Sequence, residues 1–222
     1  NVETLVGGNG ADNITLDGAV AGNRYELGAG TDTLTLANGS NNLTATGVET
    51  VVGDAGNDLV TFGSAQVGAV FNAGAGTDRL VLASGTNSVT ATDLESVIGG
   101  AGNDSVTLTT GVTDGTFSLG GGTDKLVLAN ATNNITATAV ETITGDSGDD
   151  TITLGAAVTS AKFDLGDGAD RLILADGTNV MSVSGVVSIT GGLGNDTVNF
   201  TAGITGAVIN LGAGTDKVTL AN

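Results

Sequence analysis

The sequence predicts an all-β protein wound as a parallel β-solenoid of the β-roll or β-helix kind, and three observations predict it. Two columns of aspartate recur every 46 residues: Asp12, Asp58, Asp104, Asp150 and Asp196, then Asp32, Asp78, Asp124, Asp170 and Asp216. A fixed period of about 20–50 residues marks stacked architectures, in which each unit buries its apolar face against its neighbours. Gly supplies 38 of 222 residues and Pro none, while 40% of the chain is apolar. That is too apolar for a disordered acidic chain and too rich in glycine for the interiors of helices. Third, short β-branched runs alternate with a two-residue period, and no helical spacing of apolar residues lasts two turns.

The first unit spans residues 2–47, and later units span 48–93, 94–139, 140–185 and 186–222. No linker interrupts them, so residues 1–222 read as one elongated repeat domain, a segment of a longer array. Within the first unit the strand candidates are Val2 to Val6, Asn13 to Leu16, Arg24 to Leu27, Thr33 to Leu36 and Leu43 to Thr46, separated by Gly, Asn and Asp clusters. The two-residue strand period turns Ile14, Leu16, Leu34 and Leu36 inward and Thr15 and Thr35 outward. Two related halves, Gly7 to Leu16 and Leu27 to Leu36, carry one aspartate each, at alternating separations of 20 and 26 residues. One half is therefore read as one coil, the repeat as two, and the chain as roughly nine to ten coils rising about 4.8 Å each. The alternative is a single wider coil per repeat. In such a stack, residues one period apart lie above one another, so like charges line up and call for a cation between them.

The turns carry the chemistry. Gly7-Gly8-Asn9-Gly10-Ala11-Asp12-Asn13-Ile14-Thr15 fits the nonapeptide G-G-x-G-x-D-x-U-x, as do the segments starting at Gly99 and Gly191. At Gly53 and Gly145 the second glycine is Asp54 or Asp146; the second-half turns put Leu27, Ala73, Leu119, Leu165 or Leu211 in place of the first. Calcium takes six to eight hard oxygen ligands, which a carboxylate and the bare carbonyls of a tight glycine turn supply. Without metal, the same spacing makes Asx-type turns whose aspartates accept backbone N–H bonds.

These turns resemble the hemolysin-type, or repeats-in-toxin, calcium-binding repeats of large proteins exported by Gram-negative bacteria, among them toxins, proteases, surface-layer proteins and adhesins. The resemblance implies a right-handed parallel β-roll with Ca²⁺ in the turns. It assigns ligand roles to the ten column aspartates, and carbonyl-donor roles to Gly7, Gly10, Gly53, Gly56, Gly99, Gly102, Gly145, Gly148, Gly191 and Gly194. The spacing departs from the family, whose motifs follow one another every nine residues on both sides of the roll. From that departure one edge at best carries metal, and the leucine-bearing turns are expected to bind weakly or not at all.

Other columns read as structure. Glu3, Glu49, Glu95 and Glu141, replaced by Val187 in the last unit, read as a solvated face. Arg79, Lys125, Arg171 and Lys217 directly follow the second aspartate and either form exposed ion pairs across coils worth little each or, the reading favoured here, clamp the imperfect turns where metal is missing. Asn41, Asn87, Asn133 and Asn179 form a column of amides that bond from coil to coil. Strips at Thr44–Thr46, Thr90–Thr92, Thr136–Thr138 and Ser182–Ser184 resemble flat ice-binding faces, and outward threonine is also ordinary strand decoration.

A net charge of −18 argues against nucleic acid or an anionic membrane as partner and favours cations. No apolar run approaches a membrane helix, and with no Cys an extracellular chain depends on stacking and metal rather than disulfides. No His or Cys is present and every acidic cluster repeats, so the chain does not read as an enzyme. The expectation is an extracellular, calcium-stabilised structural solenoid of a secreted bacterial surface protein, whether surface layer, adhesin stalk or fibre, that folds on binding Ca²⁺. Its partners would be calcium ions and neighbouring copies or flanking repeats. The alternatives are a flat-face module for ice or glycan and a head-to-tail filament subunit.

Overall fold

A computed structural model describes residues 2–221. Among them there is no helix, only strands and turns. The chain divides into two compact units: residues through Thr109 with Gly120–Gly122, and Thr110–Leu119 with the residues from Thr123 onward.

The first unit holds β1 (Thr4–Val6), β2 (Asn13–Thr15), β3 (Ala21–Glu26), β4 (Thr33–Thr35), β5 (Asn42–Thr46), β6 (Thr50–Val52), β7 (Leu59–Phe62), β8 (Val67–Asn72), β9 (Arg79–Val81), β10 (Ser88–Thr92), β11 (Ser96–Ile98) and β12 (Ser105–Leu108). Odd strands pair in order as one parallel sheet and even strands as another. Each coil therefore contributes one strand to each sheet. The second unit repeats the plan with β13 (Gly115–Ser118), β14 (Lys125–Val127), β15 (Asn134–Thr138), β16 (Thr142–Thr144), β17 (Thr151–Leu154), β18 (Thr159–Asp164), β19 (Asp170–Ile173), β20 (Val180–Ser184), β21 (Val186–Thr190), β22 (Thr197–Phe200), β23 (Val208–Asn210) and β24 (Lys217–Thr219). Its odd and even strands likewise form two parallel sheets.

The parallel solenoid is as expected, but its winding is tighter than two coils per repeat. Paired residues lie 20 or 17 positions apart, as in Thr4↔Arg24, Arg24↔Thr44 and Thr44↔Thr61. One 46-residue repeat thus makes five strands, or two and a half coils. Because five is odd, a residue one period on sits in the other sheet: Thr4 lies in β1 and Thr50 in β6. The expected stacking of each aspartate on its own column is therefore wrong, since the 26-residue gap crosses from one edge of the coil to the other.

Inward side chains form the core. Leu34, Val51, Phe71 and Val106 from even strands and Tyr25, Leu43, Val60 and Leu80 from odd strands are almost wholly buried. Burial at about 25 cal/mol per Å² is the main term holding such thin layers together. The third strand of each repeat carries the larger residues Tyr25, Phe71, Phe117 and Phe163. It opens on a backbone with positive φ at Gly22, Gly68, Asp114, Ser160 and Gly206. At Gly22, Gly68 and Ser160 this coincides with a register shift, a β-bulge that absorbs one residue of the longer connection.

Candidate metal centres

Two edges line each unit, one where the chain passes from odd to even sheet and one where it returns. In the first unit the turns ending in Asp12 and Asp32 stack on the first edge, and those ending in Asp58 and Asp78 stack on the second. In the second unit Asp150 and Asp170 stack on the return edge, and Asp196 and Asp216 on the other. Metal-type turns thus occur in pairs on both edges, against the expectation of a single edge.

The pairs are held by reciprocal bonds. The backbone N–H of Asp58 donates to Asp78 Oδ1 at 2.7 Å, while the N–H of Thr77 donates back to Asn57 Oδ1 at 2.9 Å. The Asp150–Asp170 pair repeats this through Asp149, and the Asp196–Asp216 pair through Asn195. In the first repeat Ala11 replaces the outer acceptor, leaving only the bond from Asp12 N–H to Asp32 Oδ1.

The ladder continues in both directions. Val20 N–H donates to Asn41 Oδ1, and Asn41 donates its N–H and its Nδ2 to Asp58 Oδ1, each at 2.9 Å. Asn41 Nδ2 also closes its own turn on the carbonyls of Ala37 and Gly39, which confirms the asparagine column as a structural ladder. Beyond the pair, Asp32, Asp78 and Asp124 donate their N–H groups to Glu49, Glu95 and Glu141, all at 2.8 Å. Those glutamates cap the ladder instead of forming a solvated face. The reading of Arg79, Lys125, Arg171 and Lys217 as clamps also fails: all four are exposed on outer faces, and among the described residues the one ion pair joins Arg24 to Glu26 within β3.

Burial makes these carboxylates costly. Asp32, Asp58, Asp78, Asp104, Asp124, Asp150, Asp170 and Asp196 are at most 2% exposed, whereas Asp12 is half-buried and Asp216 exposed. In Asp32, Asp58, Asp78, Asp170 and Asp196 one oxygen accepts backbone N–H groups and Oδ2 is buried without a partner. Burial, only partly offset by the N–H of Asp58, pushes Asp78 up to about 6, with further repulsion from Asp58, Glu95 and Asp93. Asp170 is pushed to about 6 in the same way, and Asp150 is raised by burial against the bonds from Asn133. A buried charge in this state needs a proton or a cation.

Oxygens of two coils are brought together at the first motif glycine of the paired turns. A side chain at Gly7 would collide with the carbonyl oxygen of Leu27 and lie 2.7 Å from Asp12 Oδ2. At Gly53 the same space is flanked by Ala73 O and by Asp58 Oδ2 at 3.0 Å, and at Gly145 by Leu165 O and Asp150 Oδ2 at 3.0 Å. The first glycine of the motif therefore lets a carboxylate of its own turn and a carbonyl one coil on approach the same point. These carbonyls accept no backbone hydrogen bond among the described residues. Leu27, Ala73 and Leu165 are the residues that replace the motif glycine; their side chains enter the core while their carbonyls face the first glycine of the stacked turn, a contribution that the motif did not reveal. The carbonyls of Gly10, Gly56, Gly148 and Gly194 face Gly30, Gly76, Gly168 and Gly214 of the stacked turn, where any side chain would clash. No group of three or more acidic residues converges among the described residues, so a cation here would draw on one or two carboxylates and on carbonyls. That donor set, all oxygen and rich in carbonyls, fits calcium.

The RTX calcium-binding nonapeptide repeat matches the chain in four copies, at residues 43–61, 95–111, 138–157 and 184–204. Each copy holds one aspartate of the first column, namely Asp58, Asp104, Asp150 and Asp196, and none of the second. No curated protein and no solved structure matches.

Proposed function

We propose that this β-solenoid, matched in four segments by the RTX calcium-binding nonapeptide repeat, binds calcium through those turns and is a structural, non-enzymatic segment of a secreted bacterial surface protein that calcium stiffens outside the cell. The observation that carries the reading is the buried, half-satisfied carboxylate whose free oxygen converges with a carbonyl of the next coil, as at Asp58 with Ala73 O beside Gly53. When bound, calcium supplies positive charge where stacked carboxylates repel. The chain's own residues do the rest: Asp12, Asp58 and Asp150 present one oxygen each, the carbonyls of Leu27, Ala73 and Leu165 face it, and the reciprocal bonds hold the two turns in register. Asp12, Asp58 and Asp150 with Gly7, Gly53 and Gly145 are assigned to these sites on that basis, and Asp104 and Asp196 with their motif glycines by the same repeat.

Calcium-gated order follows from the energetics. In a calcium-poor cytosol the buried carboxylates oppose winding; outside, each site filled at a hundred times its Kd adds about 2.7 kcal/mol. Circular dichroism and thermal melting of calcium-depleted protein, repeated across a calcium titration, test this. A cooperative gain in β signal or melting temperature is expected, and superimposable curves would refute the reading. For the location, antibody labelling of intact producing cells is expected to reach the chain.

A further inference from the structure

The glutamates outside the nonapeptide motif create a second acidic step at three places in the chain. Glu49 reaches back one coil to the N–H of Asp32, and Glu95 to that of Asp78, each at 2.8 Å. This bond sets a glutamate carboxylate beside a wholly buried aspartate whose Oδ2 has no partner. No basic side chain offsets the pair, since the neighbouring Arg79 stands exposed on the outer face and forms no ion pair. Asp78 is repelled by Glu95 and by Asp93 on the same turn. On the first-edge step an oxygen is also at hand: the Gly28 carbonyl faces the bare Cα of Gly47, two residues before Glu49. A glutamate carboxylate bonded at an aspartate's N–H, with that aspartate's buried carboxylate keeping an unused oxygen, supplies ligand chemistry for a divalent cation.

Resting on the calcium reading above, we propose that the Asp32–Glu49 and Asp78–Glu95 steps each hold a further divalent cation, so that a repeat takes a second ion beyond the one its nonapeptide turn accounts for. The Asp124–Glu141 step has the same bond and belongs to the same class. Val187 stands where the glutamate would meet Asp170, so that step holds none.

Equilibrium dialysis of the full chain against calcium at pH 7.5 tests this by counting ions. Gln keeps an oxygen for the aspartate N–H, so the triple variant Glu49→Gln, Glu95→Gln, Glu141→Gln is expected to keep its β signal in calcium and bind three fewer ions. Val187→Glu is expected to bind one more, and it decides the matter should the triple variant fail to fold. Variants that bind as many ions as a calcium-binding wild type overturn the second site alone. A wild type that takes up no calcium overturns the nonapeptide reading with it.

Discussion

Asp58 serves three neighbours at once. Its Oδ1 takes two bonds from Asn41, its N–H goes to Asp78, and its Oδ2 lies beside Gly53. The sequence offered two readings of such a residue, metal ligand or Asx-type turn; Oδ1 serves the turn, and the proposed function gives Oδ2 to the ion. Asp58→Asn separates them, because an amide oxygen still serves Asn41 while the charge is gone. Without calcium its melting temperature is expected to hold or rise; the calcium-induced increase is expected to shrink by one site's share, and an undiminished increase would leave Asp58 a turn residue only. Backbone strain is legible at the same scale. Ala139 holds φ at 51°, in the column where Gly47 and Gly185 have 59° and 72°. A left-handed alanine costs roughly 1 kcal/mol that glycine does not incur. Ala139→Gly is therefore expected to raise the unfolding free energy by up to about that much, read as a higher midpoint in urea titrations.

Strands were legible where their pairing was not. The five runs read in the first repeat match β1 to β5 to within three residues at either end, because alternation of Leu, Val and Thr directly reports a half-buried strand. Which strands meet is set by how many fill a repeat, and the aspartate spacing of 20 and 26 residues concealed an odd number. The same gap in knowledge hid the role of Glu49 and Glu95, whose partners lie 17 residues back, and of the Leu27 and Ala73 carbonyls. The glycine-rich turns, by contrast, announced their site because close stacking excludes side chains there. The paired turn also makes a prediction of its own. Asn57 and Asn195 each take an N–H from the next coil, and Ala11 cannot. Ala11→Asn is expected to complete the staple on Thr31 and to add about 1 kcal/mol, read as a higher urea midpoint in calcium-free buffer.

Across the whole chain, a net charge of −18 is unevenly placed: the column aspartates lie in the edges, whereas Arg79, Lys125 and Arg171 stand on outer faces. Repulsion is thus concentrated where solvent cannot screen it, and this fixes the sign of the pH dependence. Asp78 and Asp170 titrate at about 6 in the fold, against about 4 in an unfolded chain. Between those values the folded state binds more protons than the unfolded one, so their contribution is fully present below pH 4 and is lost as pH rises through 6. Calcium-depleted protein is therefore expected to melt at higher temperature at pH 5 than at pH 7. Saturating calcium reverses the trend, because protons at pH 5 compete for the oxygens that the ion needs. General charge repulsion also falls on acidification, so the test includes Asp78→Asn with Asp170→Asn, which should flatten the calcium-free slope between pH 5 and 7. A wild-type melting temperature that climbs from pH 5 to 7 without calcium would mean that these carboxylates are ionised at no cost, and the case for a cation at the edges would lose its physical ground.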